Sequence, residues 1–151
     1  MEKYYLKYKN DVFRFVLSIV KDKYLAEDIT QECFLKLFEN QKNIRDFSKI
    51  KTWLFTTARN LSITSLNKKP FLELDDKTLP EESNDDFKYL ELISLLSDEE
   101  QQLISLRIIG KFKWREIAEI LDCSQEMIKK RYQRSLHKLK NSVKEELLWK
   151  T

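Results

Sequence analysis

WREIAEILDCSQEMIKKRYQRSLHKLK, residues Trp114 to Lys140, is the stretch that decides the fold. Ile117, Ala118 and Leu121 recur at the spacing of one helical face, and Asp122 and Cys123 interrupt it. Ser124 is a residue type that caps helices, and the helix after it carries Ile128, Tyr132, Ser135 and Leu139 inward. The pattern reads as a helix-turn-helix. Ala118 is small enough for close approach of the two helices, and Asp122, at the turn, tolerates left-handed backbone better than most residues. The outward side of the second helix holds Gln125, Glu126, Lys129, Lys130, Gln133, Arg134 and His137, groups that meet phosphates and base edges in a major groove. The competing reading is a pair of packed helices with a merely solvated basic face. Charge weighs against it: from Cys123 to Lys144, Lys129, Lys130, Arg131, Arg134, Lys138, Lys140 and Lys144 face only Glu126, a bias that suits a polyanion.

Composition points the same way. One Gly and two Pro in 151 residues, with 35% charged residues, predict an all-α protein with almost no sheet. The charge falls in blocks. Residues 1–69 carry fourteen Lys and Arg against eight Asp and Glu, residues 70–96 carry two against eight, and residues 97–151 carry twelve against nine. Two small helical bundles joined by an acidic linker are therefore expected, with boundaries at 1–69, 70–96 and 97–151. Cys33 and Cys123 lack metal or redox spacing and read as reduced small hydrophobes. The apolar run Phe13 to Val20 is too short to span a bilayer, so neither membrane insertion nor a signal peptide is expected, and the expected location is cytoplasmic.

In the first block, Tyr5, Tyr8, Val12, Phe15, Val16 and Ile19 follow helical spacing. Asp22 is placed to cap a second helix with Ala26, Ile29, Cys33, Phe34, Leu37 and Phe38 in a broad apolar band. A polar break, NQKNIRDFSKIK, precedes a third helix over about Lys51 to Leu66, with Leu54, Ala58, Leu61 and Ser65 inward. Its outward Trp53, Arg59 and Asn60, with Lys68 and Lys69 beyond, interleave ring, cation and amide as a surface for unpaired bases does. Trp53 is equally compatible with a core position. Phe71 to Asp86 reads as a solvated linker and Phe87 to Leu96 as a short helix. Ser97 and Glu100 form a capping box for a helix from Asp98 that carries Leu103, Leu106 and Ile109 before Gly110.

AEDITQECFLKLFE (Ala26 to Glu39), FSKIKTWLFTTARNLSITSLNKK (Phe47 to Lys69) and LSDEEQQLISLRIIGKFKWREIAEILDCSQEMIKKRYQRSLHKLK (Leu96 to Lys140), in that order around an acidic linker, resemble a bacterial RNA polymerase sigma factor of the extracytoplasmic-function group. The resemblance implies a factor that directs core RNA polymerase to promoters and aids promoter opening. It implies that Asp28, Gln31, Glu32, Phe34 and Leu37 dock on core polymerase, and that Phe47, Ser48, Lys49, Trp53, Arg59 and Asn60 take unpaired bases of the downstream promoter element. Gln125, Lys129, Lys130, Gln133 and Arg134 would read the upstream element. Implied partners are core polymerase, promoter DNA and an inhibitory anti-sigma protein. No small-molecule substrate, cofactor, metal or catalytic group is expected, since the only His, His137, has no partner pattern. A stand-alone helix-turn-helix regulator, with the first block dimerising or sensing, is the alternative reading, and a protein-binding helical adaptor is the third. Size-exclusion separates a dimeric regulator from a monomer that joins core polymerase, and the absence of salt-dependent DNA binding marks the adaptor.

Overall fold

The computed structural model describes residues 2–68 and 84–149. These residues form seven helices, α1 (Glu2–Val20), α2 (Lys23–Glu39), α3 (Ile50–Lys68), α4 (Asn84–Ile93), α5 (Asp98–Ile108), α6 (Trp114–Leu121) and α7 (Gln125–Trp149), with two 3-10 turns at Gln41–Asn43 and Phe47–Lys49. The chain divides into two compact units, Met1–Glu82 and Ser83–Thr151. Of the acidic stretch Phe71 to Asp86 expected as a linker, residues 71–83 lie outside the described residues, and Asn84, Asp85 and Asp86 begin α4.

In the first unit α1, α2 and α3 each pack on the other two. The interior is built from Val12, Phe15, Val16, Leu17 and Val20 of α1, Ala26, Ile29, Cys33, Phe34 and Leu37 of α2, and Ile50, Leu54, Phe55 and Ala58 of α3. The Phe15 and Phe55 rings meet at 5.3 Å. Each buried side chain of this kind removes apolar surface worth roughly 1.5–3 kcal/mol from water. The buried hydroxyls of Thr30 and Ser62 donate to the carbonyls of Ala26 and Ala58, both at 2.7 Å, so neither needs a partner from another helix. Lys21 turns the chain at φ 59, and the Asp22 carboxylate accepts the Leu25 N–H at 3.2 Å as the cap of α2. The inward face of α3 differs from the expected one. Phe55 and Ser62 are buried, while Leu61 and Ser65 are half-buried, because packing against two helices rotates the stripe toward Ile50, Leu54, Ala58 and Ser62.

The second unit buries Leu90, Ile93, Leu96, Leu103, Ile104, Leu106, Phe112, Ile117, Ile120, Ile128 and Leu139. Ser97 and Glu100 cap α5 reciprocally: the Glu100 N–H donates to Ser97 Oγ at 3.2 Å and the Ser97 N–H to Glu100 Oε1 at 3.1 Å. After α5 the left-handed residue is Lys111, at φ 55, and not Gly110. Gly110 is needed for close approach instead, since a Cβ there would lie 2.6 Å from Phe112 Cδ2. The Phe112 N–H donates to the Leu106 carbonyl at 3.2 Å, which folds its ring into the core. Glu116 accepts the Lys113 N–H at 2.9 Å and starts α6. On α6 the buried residues are Ile117 and Ile120; Ala118 and Leu121 are half-buried. Asp122 adopts the left-handed conformation expected of it, φ 55 and ψ 51, and the Cys123 N–H closes on the Ala118 carbonyl at 3.1 Å.

Candidate nucleic-acid interface

The register of α7 decides which of its side chains reach solvent. Ser124 Oγ accepts the Met127 N–H at 3.2 Å, and Ile128, Ser135 and Leu139 then fall on the buried side. Gln125, Lys129, Lys130, Gln133 and Arg134 fall on the exposed side, together with Glu126 and His137. The cations between them divide into two sets. Arg131 lies 3.3 Å from Glu99, and Lys138 donates to Glu100 at 2.9 and 3.1 Å. Lys129, Lys130 and Arg134 point outward, so the anion-seeking face is narrower than the count of charges suggests.

Two carboxylates in the first turn of α5 thus hold the recognition helix. Ser135 Oγ lies 3.0 Å from Glu100 Oε2 and 2.8 Å from the Arg131 carbonyl, its one proton divided between them. Partial burial pushes the Glu100 carboxyl up, but the hydrogen bonds from Lys138, the Ser97 N–H, Ser135 and the Ser97 hydroxyl outweigh it and hold the group down at about 2. On the far side the Arg107 guanidinium sits 4.2 Å from the Trp114 ring centroid and donates to the Phe112 carbonyl at 2.7 Å. Trp114 meets Tyr132 edge-on at 5.0 Å. Helices α5, α6 and α7 are therefore tied at both edges of the helix-turn-helix.

In the first unit, Asp28, Gln31 and Glu32 are exposed on α2. Phe34 and Leu37, expected on the same docking surface, are not there: Phe34 is 2% exposed with its ring edge-on to Tyr5 at 5.1 Å, and Leu37 is fully buried. At about 100° per residue, position 37 is half a turn from position 28, so the two cannot share a surface. Large side chains that do accompany Asp28, Gln31 and Glu32 are Leu35, 58% exposed and seven positions from Asp28, and Tyr24, 70% exposed and four positions before it. Sequence reading missed Leu35 because a Leu inside an apolar band looks like core; only the third helix decides which side of the band is covered.

The turn before α3 is built by Asp46, whose Oδ1 accepts the Ser48 N–H at 3.0 Å and the Ser48 hydroxyl at 2.6 Å. The Ser48 hydroxyl, with its N–H, holds the Asp46 carboxyl below the usual range. Ser48 is thereby occupied in shaping the turn, which leaves Phe47, 52% exposed, and Lys49 facing solvent. Trp53 is half-buried, and Asn60, seven residues on, shares its face and is exposed. Arg59 is half-buried, and its place on the helix is about a third of a turn from Trp53. Trp53 and Asn60 therefore share one face of α3, about two turns apart, and Arg59 lies off that face.

Cys33 is buried, and burial pushes its thiol up to about 12, consistent with an inert packing role. Among the described residues no group of three or more His, Cys, Asp or Glu is placed to hold a metal.

Two family models match this chain: Sigma-70 region 2 over residues 4–70 and Sigma-70, region 4 over residues 92–141. The RNA polymerase sigma factor SigV of Bacillus subtilis is 30% identical over 136 residues, an alignment covering 85% of this chain and 82% of that protein. The chain belongs to the extracytoplasmic-function group of RNA polymerase sigma factors. This sigma factor is also 46% identical over 68 residues to the ECF RNA polymerase sigma factor SigM of the same organism, a stretch covering 45% of the chain and 41% of that protein. Its fold matches the sigma factor RpoE in its co-crystal structure with the anti-sigma factor NepR from Bartonella quintana, with a TM-score of 0.75 at 20% identity over 95% of this chain and 96% of that one. The sigma factor directs RNA polymerase to promoters, and its family is one of initiation factors rather than enzymes.

Proposed function

We propose that the sigma factor divides promoter recognition between its two units. Residues 97–151 carry the upstream-element reader, with Lys129, Lys130, Gln133 and Arg134 entering the major groove and Gln125 at the start of the helix. Residues 1–69 carry core-polymerase docking and promoter melting. Docking uses Asp28, Gln31, Glu32 and, replacing the buried Phe34 and Leu37, Leu35. Capture of unpaired downstream bases uses Phe47, Lys49, Trp53 and Asn60, with Ser48 shaping the turn and Arg59 to one side. Binding flipped bases helps offset the cost of unpairing them.

The observation that carries this reading is the one-sided face of α7, where Lys129, Lys130 and Arg134 are exposed while Arg131 and Lys138 are held by α5 carboxylates. The stand-alone regulator needs a dimerising or sensing module in the first block, and residues 4–70 match region 2 of sigma factors instead. The cytoplasm is the proposed place of action; no described helix is long and apolar enough to cross a membrane. An anti-sigma protein is a proposed further partner, supported by apolar surface such as Leu95, 63% exposed beside α5. Loss of a captured inhibitor on Leu95→Asp, with promoter-directed transcription intact, tests that partner.

The deciding experiment is runoff transcription with purified bacterial core polymerase and a random promoter library. Protein-dependent transcripts sharing two spaced upstream motifs are expected. Duplex DNA binding without any dependent transcript would return the stand-alone regulator.

A further inference from the structure

Outside the residues assigned above, the first unit carries an aromatic surface at the start of α1. The Tyr4 ring lies 6.5 Å from the Phe47 ring with planes 6° apart, and 6.5 Å from the Tyr8 ring with planes 8° apart. Three near-parallel rings from two separate segments are thus aligned. Lys3 sits 5.1 Å over the Tyr4 ring centroid and Lys7 5.4 Å over that of Tyr8. Lys3, Tyr4, Gln41 and Phe47 also line one hollow of about 530 Å³.

Folding alone explains part of this. Tyr4 and Tyr8, four residues apart on one helix, support each other as neighbours on its surface. It does not explain Phe47, a Phe left 52% exposed on a turn of polar residues and aligned with Tyr4 rather than covered by it. An aromatic row, exposed at Phe47 and half-buried at Tyr4 and Tyr8, beside the exposed Lys3 and Lys7 has the chemistry of a strand-binding surface: rings stack on bases of any identity, ammonium groups take the phosphates, and an amide such as that of Gln41 meets a base edge.

We propose that Tyr4, Tyr8 and Phe47 form a stacking platform for unpaired nucleotides of the promoter strand, with Lys3 and Lys7 on the backbone and Gln41 at the base edge. The platform extends the base-capturing surface from the turn before α3 onto α1, and it rests on the reading that Phe47 meets single-stranded DNA.

The test uses the full chain, alone and as holoenzyme with bacterial core polymerase, and a fluorescent oligodeoxythymidine carrying one 5-iododeoxyuridine. Irradiation is expected to place adducts on Tyr4 or Tyr8 as well as Phe47, located by mass spectrometry. Tyr4→Leu with Tyr8→Leu is expected to weaken oligonucleotide binding by about 5- to 50-fold, and the matching Phe variants, which keep the rings, to restore it. Lys3→Gln with Lys7→Gln, both exposed and harmless to packing, is expected to lower the slope of log affinity against log salt by about 1.4. Phe47→Ala runs alongside as the test of the underlying reading. Adducts confined to Phe47 and Trp53, with the Tyr4 and Tyr8 variants at wild-type affinity, overturn the platform and leave base capture standing. If Phe47→Ala is silent as well, base capture itself falls. Reduced core-polymerase binding by the Tyr variants, with oligonucleotide affinity unchanged, makes the patch a protein contact and also overturns the platform.

Discussion

Lys138, fourteen positions into α7, donates from Nζ to Glu100 Oε1 at 2.9 Å, and Glu100 is at the same moment the reciprocal cap of α5. One carboxylate therefore serves the start of one helix and the register of another. The exposed reading face of α7 depends on a residue that is not on it.

Glu100→Ala removes the cap acceptor together with the partners of Ser135 and Lys138. Urea unfolding of the full chain is expected to show a loss of about 1–2 kcal/mol in the second unit's transition. Glu100→Gln keeps an acceptor for the Ser97 N–H and is expected to cost about half as much. Because the folded carboxyl is held at about 2 against an ordinary value of 4.5, its stabilisation is fully present above about pH 5 and is lost as pH falls toward 2. Thermal melts across that window are expected to be flatter for Glu100→Gln than for wild type; equal slopes would show that this carboxyl does not drive the acid loss.

Arg134 and Arg131 are three residues apart and predicted to behave oppositely. Arg134→Ala is expected to weaken upstream-element binding by about 1–3 kcal/mol and relax sequence preference at one base pair. Arg131→Ala, at a solvent-screened pair with Glu99, is expected to change unfolding free energy by less than about 1 kcal/mol and to leave base preference intact. Holoenzyme binding to a panel of promoter variants checks both.

Leu35→Glu places a charge on exposed surface and is expected to reduce core-polymerase affinity by about tenfold or more with little change in melting temperature. Phe34→Ala, in the core, is expected to destabilise the first unit by about 3–5 kcal/mol. If Leu35→Glu lowers the melting temperature as much as Phe34→Ala does, the docking role assigned to Leu35 is wrong.

Asp122 sits at φ 55, where Gly carries no Cβ strain. Asp122→Gly is expected to be neutral or to stabilise by up to about 1 kcal/mol, and Asp122→Val to destabilise by about 1–2 kcal/mol or more. Chemical denaturation of the full chain measures both. A destabilised Asp122→Gly would mean that the aspartate side chain contributes more to the turn than its backbone strain costs.

Helix existence was legible in the sequence because it depends on local terms. The caps at Asp22, Ser97 and Ser124, the left-handed turn at Asp122 and the inward residues Ile128, Ser135 and Leu139 all follow from spacing and side-chain type within a few positions. The linear sequence also carried the charge blocks and the two motif regions that place the chain among sigma factors. Tertiary packing alone decided which side of a broad apolar band is covered. It buried Phe34 and Leu37 and left Leu35 out, and turned α3 toward Phe55 and Ser62. It also drew Arg131 and Lys138 onto carboxylates more than thirty positions away and brought Tyr4 alongside Phe47. The reason is physical: helical periodicity is set by neighbours within about a turn, whereas burial and ion pairing depend on which other helix arrives, and no local pattern encodes that.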